Sequence, residues 1–221
     1  MIPGPVFVYS CPTCGNVITR GSLMSGNNFG SKIFSDGKSI SPMLPEFPKL
    51  TKCKKCNSLF WLSNLKPIGT FYWSEIKNIE WVFADKAQFL EIDDYFNAID
   101  KGIAKNKKEE LYIRQQIWWG YNDNLRSGKK LFKDESDEQR WAENISKLKP
   151  LFDQSDSNQR IMLAEINRNL GDFETCIGII ESIDDEELNW VKEIIIDECK
   201  KKNKWLIELK DKTSPRGNLL K

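Results

Sequence analysis

Four of the six cysteines stand in two short pairs, Cys11-Pro12-Thr13-Cys14 and Cys53-Lys54-Lys55-Cys56. Two residues between thiols let one tight turn present both sulfurs to the same ion, with backbone N–H groups directed at them. The residue after each second cysteine is Gly15 or Asn57, the two types that best tolerate a left-handed backbone. Four thiolates complete a tetrahedral set and leave no open position for water or substrate. The spacing therefore predicts one structural metal ion, Zn²⁺, held by Cys11, Cys14, Cys53 and Cys56. Cys176 and Cys199 fall on predicted helices and read as small core residues rather than further ligands.

The chain has no histidine. That excludes Ser-His-Asp and Cys-His nucleophile systems, His-x-Glu deaminase sites and His-Glu-x-x-His zinc proteases together. Ser35-Asp36-Gly37-Lys38-Ser39 ends like a phosphate-binding loop. Lys32 occupies the place of the glycine such a loop needs, however, and Ser41-Pro42 blocks the helix that should follow, so the segment reads as a turn. The acidic run Asp184-Asp185-Glu186-Glu187 reads as a solvated helix start rather than a catalytic carboxylate pair. A binding protein is expected rather than an enzyme.

Hydrophobic residues make up 40% of the 221 and charged residues 29%, enough apolar surface for a packed core and too much for wholesale disorder. No stretch approaches the roughly 20 apolar residues that cross a bilayer, so no membrane span is expected. The first ten residues have no basic start, contain Pro3 and Pro5, and reach Cys11 before an apolar segment could form. This predicts a cytoplasmic protein, where thiols stay reduced and paired cysteines hold metals more often than disulfides.

The elements that must position the cysteines change character along the chain. Up to Pro67 the sequence is rich in Gly, Pro, Ser and Asn, with β-prone pieces at 6–9, 16–19 and 58–62. Pro42, Pro45 and Pro48 rule out a helix between the pairs, and the insertion from Gly21 to Leu50 is expected to form a loop of its own. No further proline occurs until Pro150, and apolar residues recur at helical spacing. Helices are predicted near 74–83, 91–104, 108–125, 136–149, 157–170, 172–183 and 186–202. Ser74, Ser136, Ser157 and Asp172 are the expected caps, and Gly102, Gly120 or Gly128, and Gly171 the breaks. Trp118-Trp119, with Leu111, Tyr112, Ile113 and Tyr121, makes one helix aromatic on more than one face, as burial between neighbours would require. The fold class is thus α+β: a small β module over 1–66, an all-α domain over 67–209 and a flexible tail over 210–221.

The two cysteine pairs resemble those of the zinc ribbon family, in which knuckles at the tips of two β-hairpins clamp one ion. Cys11-Pro12-Thr13-Cys14-Gly15 matches the usual knuckle, whereas the second pair has lysines where proline is common, and 38 residues separate Cys14 from Cys53. Rubredoxin also uses two such pairs, for redox-active iron, and Met43-Leu44-Pro45-Glu46-Phe47 is vaguely similar to its Leu-Pro stretch. Its acidic surface is replaced here by Lys49, Lys52, Lys54 and Lys55. Residues 161–180 resemble one tetratricopeptide repeat through Leu163, Ala164, Gly171, Phe173, Cys176 and Ile180, with Asn167 where an aromatic is usual. A single repeat cannot bury its own face, so the flanking helices must complete the stack. The combination is similar to uncharacterised bacterial proteins of that architecture.

Residues 1–66 carry eight Lys and Arg against two acids, or +6, which leaves 25 against 30, or −5, for the rest. A Zn²⁺ with four thiolates brings the first part nearer +4. Two partners follow. The helical domain, presenting a long surface, suits a protein partner, which makes the chain a zinc-binding adaptor. The alternative is nucleic acid, with Lys52, Lys54 and Lys55 reaching phosphates and rings such as Phe29, Phe34, Phe47, Phe60 and Trp61 stacking on bases. Rubredoxin-like electron transfer is the third reading.

Overall fold

The computed structural model describes residues 1–76 and 78–210. The tail expected over 210–221 lies outside them, Lys210 apart. A β-rich region precedes the helices, in the α+β class expected. The strands are β1 (Ile2–Pro3), β2 (Val6–Ser10), β3 (Val17–Arg20), β4 (Leu23–Ser25), β5 (Lys32–Phe34), β6 (Ser39–Ile40), β7 (Leu50–Lys52), β8 (Leu59–Trp61), β9 (Gly69–Phe71), β10 (Asp85–Lys86) and β11 (Glu208–Leu209). The helices are α1 (Ile79–Val82), α2 (Ile92–Asp100), α3 (Lys107–Arg126), α4 (Glu135–Leu148), α5 (Ser157–Asn169), α6 (Phe173–Glu181) and α7 (Asn189–Lys200). Among the described residues no helix is long and apolar enough to cross a membrane.

Two compact units divide the chain. The first comprises Met1–Ser31 and Ser41–Lys105; the second comprises Lys32–Ile40 and the chain from Asn106 onward.

In the first unit, β2 is the centre of a sheet ordered β10-β3-β2-β9, with β10 parallel to β3 and the other pairs antiparallel. The β-branched and aromatic run Val6-Phe7-Val8-Tyr9 suits that central place, and Val6, Val8 and Tyr9 are buried. A second hairpin pairs β7 with β8, Leu50 opposite Trp61 and Lys52 opposite Leu59. Helix α2 is tied to this hairpin: Lys52 Nζ reaches Asp94 at 2.6 Å, and Trp61 Nε1 donates to the Ile103 carbonyl at 3.2 Å. The helix expected over 74–83 shrinks to the single turn of α1, capped by Asn78 rather than Ser74. Trp73, Ile76, Ile79 and Phe83 do recur at helical spacing, but all four remain exposed, Phe83 by 81%. A stripe that buries nothing does not offset the cost of nucleating a helix.

In the second unit α3 packs on α4, α5 on α6 and α6 on α7. Ile161, Ala164, Cys176, Ile180, Val191, Ile195 and Cys199 form one apolar cluster among the last three. Breaks fall at Gly102, Gly128 and Gly171, and Asp172 caps α6 as expected. Helices α4 and α5 are capped by Asp134 and Asp156 instead of Ser136 and Ser157. A carboxylate just before the first turn accepts the N–H bond and also meets the positive end of the helix dipole.

The insertion between the cysteine pairs does not form a loop of its own. Its middle, 32–40, is a hairpin of the second unit, where β5 pairs with β6 and with β11 in the order β11-β5-β6. The hairpin accounts for Glu165 and Arg168 in an anomaly of α5, in which Ala164 through Asn169 are all buried although four of the six are polar. Ser35 Oγ donates to Glu165 Oε1 at 2.7 Å and accepts from the Ile207 N–H at 3.2 Å. Arg168 bonds both Glu165 oxygens at 2.7 Å and the Trp205 carbonyl at 2.9 Å. Asp36, fully buried, accepts from Asn122 at 2.8 Å and pairs with Arg126, while its carbonyl accepts from Trp119 Nε1 at 3.0 Å. Trp118 is buried on the same helix and donates to Asn169 Oδ1 at 3.0 Å, so the aromatic helix is used on two faces. Burial pushes the carboxyls of Asp36 and Glu165 above their usual range, against the pull of Arg126 and Arg168.

Gly37 closes the hairpin with φ +77°, and a Cβ there would stand 2.7 Å from Met162 Sδ. Gly37→Ala is expected to destabilise the second unit by about 1–3 kcal/mol, read as a lower urea midpoint at unchanged slope. An unaltered midpoint would mean that the turn relaxes freely.

Candidate metal centre

Each cysteine pair sits at the tip of a β-hairpin. Cys11 and Cys14 follow β2 and precede β3, and Cys53 and Cys56 follow β7 and precede β8. The two turns are built alike. Cys11 N–H donates to the Asn16 carbonyl at 2.8 Å, as Cys53 N–H does to Ser58 at 2.9 Å. Gly15 N–H returns to the Cys11 carbonyl at 2.9 Å, as Asn57 N–H does to Cys53 at 2.8 Å. Gly15 and Asn57 hold φ of 72° and 58°, the left-handed conformation for which these residue types were singled out.

The four Sγ atoms all lie within 4.8 Å of one another. Cys11 approaches Cys56 at 3.7 Å and Cys14 approaches Cys53 at 3.7 Å, so the contacts run across the two turns. A disulfide would bring sulfurs to about 2.05 Å, and all four thiols are free. A tetrahedron with metal–sulfur bonds of about 2.3 Å has an edge of about 3.8 Å. The cluster is therefore of the size and chemistry to hold a metal ion.

Its electrostatics suit a cation. At Cys11 burial opposes the thiolate, but the Ser58 hydroxyl and the N–H groups of Thr13 and Cys14 outweigh it and bring the pKa to about 6. Cys56 is also lowered, chiefly by the Ser58 hydroxyl and N–H. At Cys14 the Asn16 N–H favours the thiolate, yet burial and the three neighbouring sulfurs push the pKa up to about 12. Thiolate forms most readily at Cys11 and least readily at Cys14, where the other sulfurs crowd it, and a cation at the cluster would relieve that crowding.

The surrounding core is small and leans on these residues. Tyr9, Cys11, Ile18, Cys53, Phe60 and Leu62 form it, so two of its six buried members are themselves candidate ligands. Ser58 was not legible as a site residue. Its hydroxyl lies 3.4 Å from Cys11 Sγ and 3.1 Å from Cys56 Sγ, bridging one sulfur of each pair. The signal was its place two residues after Cys56, which matches Asn16 after Cys14.

Ser58→Ala is expected to weaken metal affinity about tenfold, measured by competition with a chromophoric chelator. In the same protein, metal should protect Cys11, Cys14, Cys53 and Cys56 from alkylation. Chelation should expose Cys56 first, since it is both partly exposed and lowered in pKa. Equal labelling with and without metal would contradict this. Cys176 and Cys199 are buried in the helical core, where burial raises both thiols, and should stay unlabelled in either state.

The three lysines read as phosphate contacts differ in their surroundings. Lys52 is held by Asp94 at 2.6 Å and Lys54 lies 3.6 Å from Asp85. Lys55 is exposed. Carboxylates of α2 and β10 thus stand beside two of the three charges. Asp185 caps the turn before α7 by accepting from the Glu187 N–H, which accounts for the acidic run as a helix start. No protein-family model, curated protein or solved structure matches this chain.

Proposed function

We propose that the chain is a zinc-binding adaptor. One structural Zn²⁺ is held in a ribbon-like clamp by Cys11, Cys14, Cys53 and Cys56, and the helical unit binds a protein partner. The observation that carries the metal half is the pair of 3.7 Å sulfur approaches across two hairpin tips, close to the edge of a zinc–thiolate tetrahedron. When bound, the ion contributes cross-linking and charge neutralisation, since four sulfurs leave no position for a substrate.

Zinc is favoured over redox-active iron by the lysines beside the second pair, where rubredoxin is acidic. A colourless protein with one zinc per chain by elemental analysis is the expected result; a red protein would replace zinc with iron. Two metals per chain, or none with free thiols, would end the reading.

The partner half is supported by the helix stack. Helices α5 and α6 bury Ala164, Cys176 and Ile180 completely, at positions matching a tetratricopeptide-like unit, and stacked helix pairs expose surfaces suited to an extended peptide or a partner helix. Affinity purification of the full chain from its native cells, with and without nuclease, tests it. Recovery of the same protein at comparable stoichiometry in both samples is expected. Recovery abolished by nuclease, with binding that falls steeply with salt, would transfer the work to nucleic acid.

A further inference from the structure

The chain leaves the first unit after Ser31, returns after Ile40, and leaves again after Lys105. Two consequences of connectivity follow. The hairpin 32–40 lies inside the segment that the metal would close, between Cys14 and Cys53. The 65 residues from 41 to 105, which join the hairpin to the rest of its own unit, include Cys53, Cys56, Phe60 and Leu62 of the core built around the cysteine cluster.

The hairpin is integral to the second unit. Ser35 and Asp36 have no exposed surface, and Ser35 N–H donates to the Ile207 carbonyl at 3.0 Å. At the neck of the hairpin, on the first-unit side, Ser31 Oγ donates to Ser41 Oγ at 2.7 Å, so both strands of the excursion start from one clasped point. Docking the hairpin closes a loop from Ile40 to Asn106. While 41–105 is folded, that closure involves a body of fixed shape. Once it is unfolded, the same closure must restrain a flexible chain and loses entropy accordingly.

We infer that metal binding at the cysteine cluster and docking of the 32–40 hairpin onto α5 are thermodynamically coupled, so that loss of the ion in the first unit loosens the polar seal of the second. The inference rests on the metal reading above. The coupling is carried by the covalent path of the chain and is reciprocal, because each event reduces the freedom of the same segment. It makes the helical unit responsive to whatever removes the ion, whether a competing chelator or an oxidant of the thiolates.

The test is hydrogen exchange by mass spectrometry on the full chain, zinc-loaded and after chelation, with zinc content measured in the same samples. Peptides covering 32–40 and 204–209 are expected to exchange about tenfold faster or more after chelation. Peptides from the α6–α7 core should change much less. Cys53→Ser should reproduce the chelated pattern. As the reciprocal arm, Ser35→Ala, which removes one hydroxyl from the seal, should lower zinc affinity about fivefold or more. Stoichiometric zinc with unchanged exchange at 32–40 on chelation would overturn the coupling and leave the metal centre standing. Affinity unmoved by Ser35→Ala, in a protein whose hairpin exchange that substitution has raised, would also overturn it. A protein that takes up no zinc would overturn the metal reading and the coupling with it.

Discussion

Cys53→Ser is expected to unfold the first unit while most of the helical circular dichroism survives. Metal binding to thiolate sites of this type is worth on the order of 10–16 kcal/mol, more than the whole stability of a small domain. The β7–β8 hairpin is joined to β2–β3 through a core whose buried members include Cys11 and Cys53 themselves. A serine in place of Cys53 removes one ligand and puts a hydroxyl at a fully buried position. The dichroism survives because α3 to α7 all belong to the second unit, whereas the short α1 and α2 lie in the first. Near-ultraviolet signals from Tyr9, Trp61 and Phe60 should collapse. Retention of those signals together with a full zinc equivalent would show that three thiolates suffice, and would refute the closed four-sulfur site.

The second large effect is expected at Glu165. It has no exposed surface and accepts from Ser35, Arg168 and Asn169, so Glu165→Ala leaves the buried guanidinium of Arg168 without its counter-charge. Breaking a buried pair from one side costs about 3–5 kcal/mol. Chemical denaturation monitored at 222 nm should show that loss in the second unit, with one zinc still bound at saturating metal. The double replacement Glu165→Leu with Arg168→Met should cost less than Glu165→Ala, because it removes both charges and refills the space. If Glu165→Ala is neutral, water reaches the site and the seal is not dry. A fragment beginning at residue 67 is expected to behave like the single mutant or worse. It lacks Ser35, Asp36 and β5, and so abandons both buried carboxylate networks at once.

How much of this was legible in the sequence follows from the range of the forces involved. The knuckles were, because a Cys-x-x-Cys turn with Gly15 or Asn57 behind it is decided within six residues. Helix positions were too: 108–125 was expected and Lys107–Arg126 is found, 157–170 was expected and Ser157–Asn169 is found. Periodicity failed at 74–83, where an apolar stripe exists but packs on nothing that would hold a helix. The caps at Ser136 and Ser157 failed by one or two residues, because the neighbouring aspartates are better acceptors.

Tertiary structure alone decided where the insertion goes. Ser35 finds Glu165 across 130 residues of sequence, and Asp36 finds Arg126 across 90. Glu165, Asn167, Arg168 and Asn169 are of types normally left in water, yet all four are buried. Glu165 and Arg168 find Ser35 of the hairpin, Asn167 accepts from Lys149, and Asn169 meets Trp118 and the Lys204 carbonyl. Local propensity has no means of expressing that match, since it depends on which surface the chain meets after it has folded. The sequence by itself therefore determined a four-thiolate cluster and a set of helices. Long-range hydrogen bonding assigned the segment between the two cysteine pairs to the helices.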